Sequence, residues 1–185
     1  MCGLTVAVAA SATTLIAMDV PALTRASDLI VRGTVVRVEP RWTQDKSRII
    51  TDNEILVSQI LKGNLTGKTI VAMQPGGVVG DVGQAVHGVA KFNLGDEVVV
   101  FLEKRGERAF VVGLAQGRFV VDRSGKEPMV RGGEEELYLV DARSHQPVEA
   151  PIKPMTLEAL TALVRQSLGP AQTVTPAGPP KVLVP

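Results

Sequence analysis

A mainly β fold is predicted for this chain: a small closed antiparallel barrel or sandwich that carries one C-terminal helix. Three observations predict it. Seven short β-branched or alternating segments recur between residues 29 and 140, parted by turns containing Gly, Pro or Asn. Almost no helical period interrupts them. The last periodic stretch, residues 156–167, instead repeats its apolar residues at helical spacing.

Residues 2–12 (CGLTVAVAASA) form an apolar run about as long as a signal-peptide core, ending in the small-residue pattern Ala10-Ser11-Ala12. Asp19 breaks the run before the roughly 20 residues that a bilayer span needs, so stable membrane insertion is not expected. Residues 1–18 are read as a leader remnant and N-terminal arm, which implies export to the periplasm or cell exterior.

The strands follow in order. Residues 29–38 (LIVRGTVVRV) are β-branched and end near Pro40, which has no N–H for a ladder. Residues 49–61 stop at Lys62-Gly63-Asn64, and residues 69–73 close at Pro75-Gly76-Gly77. Residues 97–102 (EVVVFL) are nearly all apolar, as expected of a strand covered on both faces. Residues 109–114, 118–122 and a weaker 137–140 complete the set. Phe101, Phe110 and Phe119 fall on three successive strands and are expected to fill one core.

Residues 19–148 are thus read as the β domain and 149–169 as a helix that packs on it. Leu157, Leu160, Leu163 and Val164 share one helical face, Thr156 is a suitable N-cap, and Gly169-Pro170 is a stop. Residues 170–185 are rich in Pro, Ala, Gly and Thr and are read as an extended tail.

Composition narrows the function classes. Lys and Arg number 20 against 19 Asp and Glu, a net charge of +1, without the basic excess of a dedicated nucleic-acid binder. One cysteine, Cys2, excludes an internal disulfide and a Cys-based zinc site. Two histidines, His87 and His145, are few for metal or acid–base work, and no cofactor or metal is expected. Ser47, Ser58 and Ser124 lie in no nucleophile motif, and Glu134-Glu135-Glu136 is read as a solvated turn. An enzyme is not expected.

Two segments stand out as candidate sites. Residues 75–95 contain Gly76, Gly77, Gly80, Gly83, Gly88 and Gly95, an unusually long Gly-rich connection for a compact domain. It is either a structural lid or a partner-binding loop, the latter through Gly76, Gly77, Val78, Val79, Asp81, Val82, His87 and Phe92. Its glycines lack phosphate-loop spacing. The second segment clusters Arg37, Arg41, Lys46 and Arg48 about Trp42, between the first two strands. Arg41, Trp42, Lys46 and Arg48 mark a possible ligand edge, or else a charged hairpin with Trp42 folded over it.

Three places resemble the netrin-like module, the OB-type barrel of the tissue inhibitors of metalloproteinases. They are Ser27-Asp28-Leu29-Ile30-Val31-Arg32-Gly33, Ile60-Leu61-Lys62-Gly63 and the apolar strand from Glu97 to Leu102. The likeness implies an OB or netrin-like barrel and a protease-directed role. Those inhibitors chelate zinc through an N-terminal cysteine held by a disulfide, and Cys2 has no cysteine to pair with. The chain also resembles uncharacterised secreted bacterial proteins that share Gln74-Pro75-Gly76-Gly77 and the stretch from Phe92 to Leu102.

The expectation is an exported, non-enzymatic protein-binding module, a protease inhibitor or modulator. The rivals are a structural component of a cell-envelope or surface assembly, with self-assembly, and an OB-type binder of oligosaccharide or single strands.

Overall fold

The computed structural model describes residues 14–106, 108–133, 137–148 and 152–169. The fold is mainly β with a C-terminal helix, as the segment pattern predicts. The expected leader run, Glu134-Glu135-Glu136 and the Pro-rich tail lie outside the described residues.

Strand β1 (Thr14–Ile16) leads into helix α1 (Val20–Ala26). Sequence reading missed this helix. It is short, but its start is well marked: Asp19 accepts a hydrogen bond from the Ala22 N–H at 2.7 Å, and Pro21 lies in the first turn. Seven residues are too few to hold a helix alone. Burial of Val20 and Leu23 holds it in place.

Two long strands, β2 (Leu29–Trp42) and β3 (Ile49–Lys62), form an antiparallel hairpin, and β4 (Thr69–Pro75) pairs antiparallel with β3. The segment expected to be a Gly-rich loop contains its own hairpin, β5 (Gly77–Val79) with β6 (Val82–Gln84). Then come β7 (Glu97–Arg105), β8 (Arg108–Val111), a 3-10 turn (Leu114–Gly117), β9 (Arg118–Asp122), β10 (Met129–Gly132) and β11 (Tyr138–Val140). The two-residue β12 (Met155–Thr156) feeds α2 (Leu157–Leu168), capped by the Thr156 hydroxyl as expected.

The pairings run β7-β2-β3-β4-β8 and return from β8 to β7, so five strands are hydrogen-bonded in a ring. Strands β9, β10 and β12 extend the sheet from β7. The pairings are mainly antiparallel, as expected, with two exceptions. Strand β8 meets β4 in parallel at Ala109 and Ala72, and β1 pairs in parallel with β11.

Two apolar clusters lie on the two faces of the strands, divided by alternation except where the register shifts. Val31, Ile55, Ala72, Val100 and Ala109, one from each ring strand, belong to a cluster that all five strands share. Ile30, Leu61, Val99, Phe101 and Phe119 face the other way and pack under α1 and α2, against Leu23, Leu160 and Val164. Strand β7 serves both clusters, and Val98 through Leu102 are all buried, which is why its sequence is an unbroken apolar run.

The expected three-phenylalanine core is half right. Phe101 and Phe119 are buried together, but on the helix side. Phe110 is not in either cluster. It pairs across the ladder with Glu103, so alternation turns Ala109 and Val111 inward and leaves Phe110 half-buried on the opposite face.

The two ends of the ring differ. At one, the Ser27-Asp28 and Lys62-Gly63 pairs meet. Lys104 N–H donates to Asp28 Oδ2 at 2.7 Å, and Lys62 Nζ donates to the Thr24 carbonyl at 2.8 Å. Gly63, at φ +80, passes so near Asp28 that a Cβ would lie 2.3 Å from its carbonyl oxygen. The other end carries the two candidate segments.

Candidate functional site

A cleft of about 540 Å³ opens between residues 43–48, which join β2 to β3, and the β7–β8 hairpin. Ile49, Ile50 and Val111 supply an apolar floor, and four arginines, Arg41, Arg48, Arg105 and Arg108, stand around it with Phe110. Two of the arginines are committed elsewhere. Arg41 Nε donates to Asp52 Oδ2 and Arg105 Nη2 to Glu103 Oε1, each at 2.6 Å. The Arg105 guanidinium also lies 5.3 Å from the centre of the Phe110 ring. Among the described residues, Arg48 and Arg108 have no acidic partner. Both also border a shallower depression beside Thr43, Gln44 and Ser47.

The wall at residues 43–48 holds its shape through one carboxylate. Asp45 accepts from the hydroxyls of Thr43 at 2.5 Å and Ser47 at 2.8 Å, and these bonds hold its carboxyl down to about 2. Thr43 N–H donates to the Arg48 carbonyl at 2.8 Å and closes the loop. Arg48 is thereby presented from a fixed backbone.

The predicted ligand edge is only partly brought together. Arg41 and Arg48 line the cleft, but Trp42 and Lys46 do not. Lys46 occupies the left-handed position of the turn, φ 55. Arg105, Arg108 and Phe110, which sequence reading left out of any site, complete the cleft instead. The run Lys104-Arg105-Gly106-Glu107-Arg108, a turn signal flanked by cations, was the available clue.

The predicted partner loop splits in two. Val78 and Val82 are 63% and 49% exposed on the β5–β6 hairpin, with Asp81 at its turn and exposed. Val79 and Gly77 are half-buried, and Gly76 is buried. The hairpin is tethered by Gln84 Oε1, which accepts from the Ile49 N–H at 2.7 Å. The second half turns inward. Ala90 and Phe92 are buried in the cluster that the ring strands share, which corrects the assignment of Phe92 to an exposed binding loop.

Phe92 is apolar and lies under the Arg118 guanidinium, 5.5 Å from its ring centre. Arg118 Nη2 donates to Asp96 Oδ2 at 3.3 Å. Burial lowers the Arg118 pKa, and the Asp96 carboxylate beside it opposes that shift. Asp96 also accepts from the Asn93 side chain at 3.1 Å, so the stretch beginning at Phe92 is a folded entry to β7. Gly88, Ala90 and Phe92 are thus packed inward, whereas Val78, Asp81 and Val82 of the hairpin stay exposed.

A second cleft, about 530 Å³, lies between the Gly-rich segment and the ends of β3 and β4. His87 borders it and is exposed. Gln74, Pro75 and Val89 line both clefts.

The three serines considered as nucleophiles are each engaged locally. Ser58 Oγ donates to the Arg32 carbonyl, and Ser47 and Ser124 bond to local aspartates. No group of three or more His, Cys, Asp or Glu that could hold a metal ion occurs among the described residues. No helix among them is long and apolar enough to cross a membrane.

No family model, no curated protein and no solved structure matches this chain.

Proposed function

We propose that this chain is a non-catalytic protein-binding module of OB-barrel type, and that it takes an acidic, partly apolar segment of its partner in the cleft beside Phe110. The observation that carries the proposal is that Arg48 and Arg108, which have no acidic partner among the described residues, both line a cleft with an apolar floor. Guanidinium groups left without carboxylates favour anionic ligands, and the floor favours an apolar anchor between them.

The ring order supports the barrel assignment. In an OB-type barrel, the loops joining the first to the second and the fourth to the fifth strand take the ligand. Here those are residues 43–48, of which Thr43, Gln44 and Arg48 line the cleft, and the β7–β8 connection, whose flanking Arg105 and Arg108 line it from the other side. Export and modulation of a secreted protease belong to the same proposal. The first rests on the apolar run at residues 2–12, and the second on the likeness at residues 27–33, 60–63 and 97–102.

Fluorescence anisotropy with pooled acidic octapeptides, basic octapeptides, an oligothymidylate and a neutral oligosaccharide tests the proposal. The expected result is binding of the acidic pool, weakened by salt and by combined Arg48→Ala and Arg108→Ala. Binding of the oligonucleotide or oligosaccharide alone, or no binding at all, overturns it.

A further inference from the structure

Asn53 on β3 and Gln74 on β4 form a buried pair of side-chain amides, 1% and 7% exposed. Asn53 Nδ2 donates to Gln74 Oε1 at 3.1 Å and to the Ala72 carbonyl at 3.1 Å. That contact uses the donor of one amide and the acceptor of the other. Gln74 Nε2 and Asn53 Oδ1 are left without hydrogen-bond partners among the described residues. Neither is sealed in, because Arg118 Nε is the described side-chain polar atom that is both occluded and unpartnered. Both residues instead line the 530 Å³ cleft under the Gly-rich segment.

The pair is held in place by its buried side and keeps an edge of one donor and one acceptor open toward the cleft, where a ligand can reach them. We propose that this edge recognises a peptide amide of the partner: Gln74 Nε2 donates to its carbonyl, and Asn53 Oδ1 accepts from its N–H. Three features favour an extended peptide. The cleft mixes aliphatic walls at Val38, Pro75 and Val86 with polar ones at Thr51 and Gln84, a lining that suits a peptide backbone with small side chains. Phe92, the aromatic residue lining this cleft, is only 8% exposed and lies against the Arg118 guanidinium, so it offers little open face to a sugar. Gln74, Pro75 and Val89 border both clefts, so a chain held at Arg48 and Arg108 can continue to the amide edge. The inference rests on the reading of the Arg48–Arg108 cleft as a peptide site, and extends it by a second contact of different chemistry.

The test is ¹⁵N NMR of the protein, following the side-chain amide signals of Asn53 and Gln74 and the signals of Arg48, Arg108 and Phe110. The probes are acetyl-Asp-Leu-Ala-Ala-amide, its analogue with one ester in place of an amide, and a trimer of N-acetylglucosamine. The expected result is that the peptide shifts both sets, that the ester binds less well, and that Gln74→Met weakens the peptide about tenfold. Gln74→Glu, which keeps the shape and removes the donor, repeats the measurement if the methionine variant folds poorly. Shifts at Arg48, Arg108 and Phe110 alone overturn the amide edge and leave the cleft reading standing. Shifts at Asn53 and Gln74 alone overturn the cleft reading and keep the edge. A response to the sugar and not the peptide, or to neither, overturns the peptide-amide proposal.

Discussion

Phe119 meets Phe101 edge-on, ring centroids 5.6 Å apart and planes at 61°, and both rings face the two helices. Edge-to-face contact adds to their area burial, because the positive ring edge of one meets the negative face of the other. Phe119→Ala should lower the free energy of unfolding by about 3–5 kcal/mol, read from urea denaturation. Phe110→Ala, at the half-buried position, should cost about 1 kcal/mol or less and instead weaken ligand binding in the cleft. Equal losses for the two variants would contradict the assignment of Phe110 to the site.

Arg48 and Arg108 should be separable from stability. Each alanine variant is expected to keep the wild-type melting temperature within about 2 °C, as exposed charges without partners contribute little to folding. Each should weaken the acidic octapeptide about five- to tenfold at low salt, and the difference should shrink as salt is raised. Isothermal titration at two ionic strengths checks this.

Acid should destabilise the fold partly through Glu97. Its carboxylate accepts from Arg123 Nε and Arg32 Nε, both at 2.6 Å, and the Arg123 bond is the larger cause of its lowered pKa. The folded state thus holds the charged form more firmly than the unfolded chain does. That stability is present above the unfolded pKa of about 4.3 and is lost as pH falls through the lower folded value. Urea midpoints from pH 7 to 3 should drop less steeply for Glu97→Gln than for the wild type. An unchanged slope would show that the three-residue network does not contribute.

Gly77, which opens β5, should tolerate substitution poorly. Its φ is +136, and a Cβ would lie 2.6 Å from Thr51 Oγ1 and 2.9 Å from Pro40 Cβ. Gly77→Ala should therefore cost more than the roughly 1 kcal/mol of strain alone. Gly83→Ala, in the same hairpin with its nearest contact at 3.7 Å, is the control and should be near neutral. Thermal melts of the two variants decide it.

Much of the strand architecture was legible because β2, β3, β7 and β9 are long or densely apolar, and periodicity reports burial directly. Two kinds of feature were not. Helix α1 has seven residues, so no helical period can build up, and only the Asp19 cap and Pro21 announce it. The facing of each phenylalanine depends on register, which a single bulge or pairing shift reverses; β2 alone has shifts near Ile30, Arg32 and Val35. The site was half legible for a related reason. Arg41 and Arg48 flank an evident turn, whereas Arg105, Arg108 and Phe110 join them only because β8 returns to pair with β4 at Ala72.

The parallel pairing of Thr14–Ile16 with Tyr138–Val140 ties an early stretch of the chain to a late one. During synthesis β1 is made long before β11 exists, so this ribbon is among the last contacts to form and loop closure across most of the domain precedes it. The ribbon is also short, three residue pairs long, and β1 is half exposed. Hydrogen exchange should accordingly find Ala17, whose N–H donates to the Val140 carbonyl, opening well before the amides of β7.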